Sequence, residues 1–221
     1  IVSIDSDSIS KIGQWPWPRE VFGKALLELQ KNPPKVVGID VIFSEASRLG
    51  NNDDLALAKA LNQVSYPVIL PVEAQPLILE KDELPRAGKF LKPLPALESA
   101  KNVSLGHVNL ILDRDGVVRR FPLKIDSLSA MSYEVAKKSG LEIPNEERLS
   151  NINRIVFPKP TGSIRRVPFW RVLEDGAGGL LKNKIVLIGA TAPDLHDEKP
   201  TPFSGGTQMP GVEIQANIAN M

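Results

Sequence analysis

Residues 35–40 read Lys-Val-Val-Gly-Ile-Asp, a short β-branched run that ends on an acid. Runs of this kind are typical of strands that are buried on both faces of a parallel sheet. Similar runs occur at residues 1–4, 67–72 and 184–188. We therefore expect four buried strands.

Helical patterns separate the first three of these strands. Residues 19–30 follow two prolines and repeat apolar side chains on one face, as an amphipathic helix does. Residues 52–62 begin with Asn and Asp, which favour helix starts, and keep the same periodicity. This β-α-β-α-β order predicts parallel strands with right-handed crossovers. The fold class we expect is α/β, with a mixed, mainly parallel central sheet flanked by helices and with inserted β-hairpins.

The middle of the chain indicates those hairpins. Residues 104–112 and 117–125 flank Asp113-Arg-Asp-Gly116, which predicts a hairpin with an Asp-Gly turn. A second hairpin is expected from residues 154–157 and 164–167, turning at Pro160-Thr-Gly162. Helices are predicted at 127–139, at 169–174 and after the Pro/Gly-rich loop 189–211. The Pro-rich stretches 85–95 and 158–168 are expected to be surface loops, and residues 1–221 one domain.

The composition excludes several classes of function. Lys plus Arg number 27 and Asp plus Glu 26, so the net charge of +1 is too small to attract nucleic acid. The chain has no cysteine, which excludes disulfides, thiolate metal sites and thiol nucleophiles. It carries only two histidines and no phosphate-binding loop or hydrolase motif. We expect no catalytic residues, no metal and no cofactor.

Acids at the ends of predicted strands suggest a ligand crevice. Asp5 follows the first strand, Asp40 ends the second, and Thr191 follows the last. In an open parallel sheet, ligands bind outside the carboxyl ends of the strands. The alternative is that these acids cap neighbouring helices or accept backbone N–H bonds. Both interpretations stay open at this point.

Other polar and aromatic side chains extend the expected binding site. Trp17 and Arg19 belong to Trp15-Pro-Trp-Pro-Arg19, which either contacts an apolar ligand or forms a structural lid. His107 and Asn109 lie in Gly-His-Val-Asn, where a satisfied core histidine is the alternative. Arg119 lies in a pattern, G-x-[VI]-R-R-x-P-[LF], that residues 116–123 and 162–169 share. The paired arginines of the two copies are residues 119, 120, 165 and 166. They are either exposed side chains on edge strands or the flanks of an anion or carboxylate site.

The two ends of the chain fall inside predicted elements. Residue 1 lies in a strand, and residues 212–221 form a helical pattern without a stop signal. We expect the chain to be a fragment of a longer polypeptide.

Several motifs, in order, resemble those of the second class of CHASE domain (cyclase/histidine-kinase-associated sensory extracellular). They are VSIDS at 2–6, WPWPR at 15–19, KVVGIDVIF at 35–43, GHVN at 106–109, DGVVRR at 115–120, KIVLIGATA at 184–192, TPF at 201–203 and MPGVEIQAN at 209–217. The resemblance spans nearly the whole chain. Family members often carry His before the final Ala-Asn, whereas this chain has Gln215.

The resemblance implies a sensory domain outside the cytoplasmic membrane of a bacterium. Such domains lie between membrane spans and are coupled to a cytoplasmic cyclase or kinase. The implied partners are an unidentified small-molecule or protein signal, the flanking transmembrane helices and a second copy in a homodimer, and no nucleic acid. One alternative is a ligand-free dimerisation module. A second is a metal-assisted hydrolase that uses Asp5, Asp40 and His196.

Overall fold

A computed structural model describes residues 1–80, 83–143, 149–203, 205 and 207–221. The strands are β1 Val2–Ile4, β2 Val36–Asp40, β3 Val68–Ile78, β4 Arg86–Leu91, β5 Val103–His107, β6 Ile111–Leu112, β7 Val118–Pro122, β8 Lys124–Ile125, β9 Leu128–Ser129, β10 Ile152–Arg154, β11 Val167–Pro168, β12 Ile185–Ala190, β13 Glu198–Lys199 and β14 Met209–Pro210. The α-helices are α1 Ser6–Ile12, α2 Arg19–Gln30, α3 Asn51–Gln63, α4 Pro95–Glu98, α5 Met131–Lys138, α6 Phe169–Asp175 and α7 Gly211–Ala219.

The central sheet confirms the predicted α/β class. Its strands run in the order β11-β1-β12-β2-β3, and β3 then pairs with both β4 and β5. All of these pairs are parallel except β3–β4. The carboxyl ends of β1, β2, β5 and β12 therefore lie along one edge of the sheet, called here the carboxyl edge. The opposite edge, where these strands begin, is called the amino edge.

Helices cover both faces of this sheet, because successive side chains of each buried strand point to opposite faces. Val37 and Ile39 of β2 join the cluster that includes Phe22 and Leu26 of α2. Val36 joins a second cluster on the other face, with residues of α5 and α7. Helices α2, α3 and α6 thus pack on one face, and α5 and α7 on the other.

The predicted helices 19–30, 52–62 and 169–174 correspond closely to α2, α3 and α6. The first hairpin also forms, since β6 and β7 pair across the turn at Asp113–Gly116. Its predicted first strand, 104–112, is divided, however. Residues 103–107 join the central sheet as β5, because they pair with β3.

The second predicted hairpin is wrong. Residues 152–154 pair instead with β7, and β11 pairs with β1. The Val167 N–H donates to the Ile1 carbonyl at 2.9 Å, which places β11 in the central sheet. Residues 167–168 therefore pair with β1, which is distant in sequence, instead of with the neighbouring strand across the predicted turn.

Three boundaries also differ from the expectation. The supposed loop 85–95 contains β4, which pairs with the outer half of β3. Helix α5 begins at Met131 because residues 124–129 form the small β8–β9 hairpin. The loop 189–211 contains β13 and β14, which pair with each other, while residues 204 and 206 lie outside the described part of the chain. Among the described helices, none has the length and apolar character needed to span a membrane.

Candidate functional site

A cavity of about 410 Å³ opens at the carboxyl edge of the central sheet. Strand ends, the loop after β5, the β13 region and the start of α7 build its walls. Its lining residues are Trp15, Asp40, Val41, Ile42, Glu73, Val108, Asn109, Leu110, Leu112, Val118, Ala190, Leu195, Asp197, Lys199, Gly211 and Gln215. We call it the carboxyl-edge cavity.

Asp40, the last residue of β2, lines this cavity. The residue is partly exposed where it lines the cavity, while burial removes most of the water around its carboxyl group. Burial raises the pKa of this carboxyl to about 7, and the negative Asp197 adds to the rise while Lys199 opposes it. No described residue forms a hydrogen bond with it. Asp40 is therefore a carboxyl group whose charge the fold leaves without a direct partner.

Asp197 and Lys199 also line the cavity, and their charges act on Asp40. The Lys199 ammonium lies 3.6 Å from the Asp197 carboxylate. Burial nevertheless raises the pKa of Asp197, with Lys199 opposing the rise. The Asp197 carboxylate packs closely against Gly211. A Cβ at residue 211 would lie 2.7 Å from an Asp197 oxygen, so a glycine is needed there. The Gly211 N–H also donates to the Asp197 carbonyl, which fixes the loop to the first residue of α7.

Two amide side chains hold the walls of the cavity in place. Asn109 accepts from the Ala74 N–H at 2.8 Å and donates to the Ala74 carbonyl at 3.0 Å. It therefore ties the loop after β5 to β3. Gln215 of α7 donates to the Val108 carbonyl at 3.0 Å and ties the same loop to α7.

Asp5 and Thr191 lie along the carboxyl edge but outside this cavity. Asp5 is the N-cap of α1, and its side chain accepts from the Ser8 N–H at 2.8 Å. The Thr191 N–H donates to the Ile4 carbonyl at 3.0 Å. The structure therefore gives Asp5 a capping contact and does not bring it to Asp40.

Trp17 and Arg19 also lie apart from Asp40. Trp17 is 4% exposed in the main core, and its indole N–H donates to the Gly13 carbonyl. Arg19 pairs with Asp54 at 3.3 Å and lines a separate crevice with Trp17. The tryptophan that reaches the carboxyl-edge cavity is Trp15, whose ring lies edge-on to Trp17 at 5.2 Å.

His107 is buried beside the cavity and does not line it. Burial lowers the pKa of its imidazole to about 4, against the opposing effect of the Leu123 and Pro122 carbonyls. These carbonyls lie near the ring but outside ordinary hydrogen-bond geometry. His107 therefore stays neutral at physiological pH.

Three of the four paired arginines bind carboxylates of the chain itself. Arg119 bridges Asp113 and Asp115 at 2.9 and 2.8 Å, and Arg120 also binds Asp113. Arg166 binds Glu213, which is fully buried and accepts from the Gly162 N–H as well. Arg119 lies on the hairpin β6–β7 and is not among the residues that line the carboxyl-edge cavity, although its neighbour Val118 is.

Of the eight predicted ligand residues, Asp40 and Asn109 line the carboxyl-edge cavity. Sequence reasoning missed Trp15, Glu73, Asp197 and Lys199 as lining residues. Trp15 lies in a motif that the sequence did highlight, and Glu73 directly follows the predicted strand 67–72, as Asp5 follows the first strand. Asp197 and Lys199 follow no periodic pattern. Within the described residues, no group of three or more His, Asp or Glu side chains is arranged to hold a metal ion.

Comparison with known proteins gives one match. The family model described as "CHASE2 domain" matches residues 1–221, the whole chain. No curated protein and no solved structure matches the chain significantly.

Proposed function

Because the chain belongs to the CHASE2 family of extracellular sensory domains of signalling receptors, we propose that it is the extracytoplasmic sensor of a bacterial transmembrane receptor. The signal binds in the carboxyl-edge cavity and is relayed to a cytoplasmic cyclase or kinase. The observation that carries this proposal is the cavity of about 410 Å³ with the unpartnered Asp40 inside it. Its size is that of ordinary small-molecule sites, which hold a few polar groups among apolar walls.

Helix α7 supplies a physical route for the relay. Gly211 and Gln215, in its first turns, line the carboxyl-edge cavity. Ala219 and Asn220, at its other end, line a cavity of about 350 Å³ at the amino edge together with Ile1 and Ile185. A displacement of α7 by a ligand would therefore reach the region of Ile1. We propose that the membrane segments of the receptor connect to this region, in a homodimer of receptor chains.

A ligand shifts the equilibrium between two conformational states of such a receptor only if it binds one state more tightly than the other. Coupling free energies between sites are typically about 1–3 kcal/mol. The alternative function is a dimerisation module that binds no ligand and only holds two receptor chains together. Such a module would self-associate, and its carboxyl-edge cavity would not change on signalling.

The absence of cysteine from the chain allows a direct test of its location. In the full-length receptor in intact cells, a membrane-impermeant maleimide should label Lys138→Cys, since Lys138 is exposed at the end of α5. Ser132→Cys, in the same helix but fully buried, should be labelled only after denaturation. Labelling of Lys138→Cys only after the membrane is permeabilised would overturn the extracytoplasmic placement.

A further inference from the structure

The charged lining of the carboxyl-edge cavity is unbalanced. Three carboxyl groups, those of Asp40, Glu73 and Asp197, face a single basic side chain, Lys199. Lys199 lies near Asp197, and Glu73 accepts a hydrogen bond from Gln75 at 2.6 Å. Asp40 has no such contact with any described residue, although burial desolvates its carboxyl group. A buried carboxylate without a partner is costly, so a cation placed beside it would be stabilised.

The rest of the cavity lining is mainly apolar and aromatic. Trp15 contributes an indole, and its ring is held by edge contacts with Trp17 at 5.2 Å and Phe22 at 6.3 Å. Five apolar residues line the same cavity: Val41, Ile42, Val108, Leu110 and Leu195. Hydrocarbon groups gain from contact with such walls, and an indole ring also attracts cations. The described acids do not form a metal-binding group, and the apolar walls with the indole ring favour an organic cation.

We propose that the carboxyl-edge cavity binds a small organic ammonium ion, with the charged group beside Asp40 and the hydrocarbon part against Trp15. This inference rests on the proposed sensory function and names the chemical class of its signal. Glu73 and Asp197 add negative potential, while Lys199 limits it.

Binding of this kind is linked to the release of a proton. The pKa of Asp40 is about 7 in the free protein, and an ammonium ion beside the carboxylate lowers it. At pH 6, only about one molecule in ten carries an ionised Asp40, whereas at pH 8 most molecules do. The affinity for the cation should therefore fall about tenfold from pH 8 to pH 6.

The experiment is calorimetric titration of the 221-residue chain with 2-phenylethylamine, and with 2-phenylethanol as a neutral control of nearly the same shape. The amine should bind at pH 8.5 and the alcohol at least about tenfold more weakly, since charge complementarity supplies the difference. Asp40→Asn keeps the side-chain shape and should weaken amine binding by at least about tenfold. Glu142→Gln removes an exposed carboxylate outside the cavity and should leave the affinity unchanged.

Lys199→Gln should change the affinity for the amine in the opposite direction to Asp40→Asn. Removal of this positive charge should tighten amine binding at pH 8.5, where Asp40 is ionised. An anionic ligand would show the reverse effect. Equal binding of amine and alcohol, weaker amine binding by Lys199→Gln, or no amine binding at millimolar concentration would each overturn the proposal.

Failure of this inference and failure of the sensory function are distinguishable. If the chain binds no amine but Lys138→Cys is labelled from outside intact cells, the extracytoplasmic placement stands and the ligand class is wrong. If Lys138→Cys is inaccessible from outside, the receptor placement is wrong, whatever the chain binds.

Discussion

At the scale of single residues, Asp40 makes the stability of the fold depend on pH. Its pKa is about 7 in the folded chain and 3.8 for an ordinary Asp, because burial disfavours the charged form. A carboxyl whose pKa is raised by folding stabilises the fold below its unfolded pKa, and this stabilisation is lost as the pH rises to the folded pKa. We expect the contribution of Asp40 to the free energy of unfolding to fall by roughly 2–4 kcal/mol between pH 4 and pH 7.5.

Asp40→Asn should remove this loss, since the amide does not ionise. Urea unfolding of the wild type and the variant at pH 4.5 and pH 8 measures the effect as a difference, so the titration of other acids largely cancels. The variant should be the more stable protein at pH 8. Glu142→Gln, an exposed carboxylate, should follow the wild type at both values. If Asp40→Asn showed the wild-type pH dependence, Asp40 would not be a buried ionising group.

The residues of the site were only partly predictable. Asp40 is predictable because it ends a recognisable strand, and Asn109 because it belongs to the Gly-His-Val-Asn motif. Asp197 and Lys199 come from a loop without periodicity, and the pairing of β13 with β14 brings them to the cavity. The Trp-Pro-Trp-Pro pattern indicated an aromatic contact. It did not determine that Trp17 would enter the core and Trp15 the cavity, since a proline follows each of the two tryptophans.

At the scale of elements, α2 begins without a capping side chain of its own. Its N-cap is Pro18, and Asp53 of α3 accepts instead from the Arg19 and Glu20 N–H groups at 2.8 and 2.9 Å. Burial opposes ionisation of Asp53, but hydrogen bonds from Ser47 and from these two N–H groups lower its pKa overall. One carboxylate thus caps a neighbouring helix and joins the two helices.

Asp53→Ala should therefore lower the free energy of unfolding by about 1–2 kcal/mol at pH 7, the usual range for loss of a helix cap. Because the folded pKa is lowered, this contribution is present above the unfolded pKa near 4 and is lost as the pH falls below it. Denaturant unfolding at pH 7 and pH 3 measures both effects. Asn52→Ala, at an exposed neighbouring position of α3, should have little effect. An equal loss in both variants would contradict the capping role of Asp53.

Elements with a strong internal pattern were predictable, and short ones with distant partners were not. Helix α2 follows from its periodicity, and β2 from its β-branched run. Strands β10 and β11 have only three and two residues, and their positions depend on partners far away in sequence. Local turn signals at residues 160–162 therefore suggested a hairpin that the longer-range pairing with Ile1 and Val2 replaces.

At the scale of the whole molecule, the α/β class followed from the order of strands and helices, but the connection between the two cavities did not. That connection depends on how closely α7 packs on β12. A Cβ at Gly189 would lie 2.6 Å from the Val212 Cβ, so the glycine permits this contact. Helix α7 then extends from the carboxyl-edge cavity to the amino edge, where Ala219 and Ile1 line one cavity.

If α7 moves as one body, a disturbance at its start should be detectable at its end. Gly189→Ala should force α7 away from β12 and lower the free energy of unfolding by about 1–3 kcal/mol, as overpacking usually does. Hydrogen exchange should accelerate along the whole of α7 and at the Val167 N–H, which bonds to Ile1. Gly205→Ala, where a Cβ would meet nothing within 4 Å, is the matched control and should exchange like the wild type. Faster exchange confined to residues 211–213 would show that α7 yields locally, and the relay from the carboxyl-edge cavity to the amino edge would then need another route.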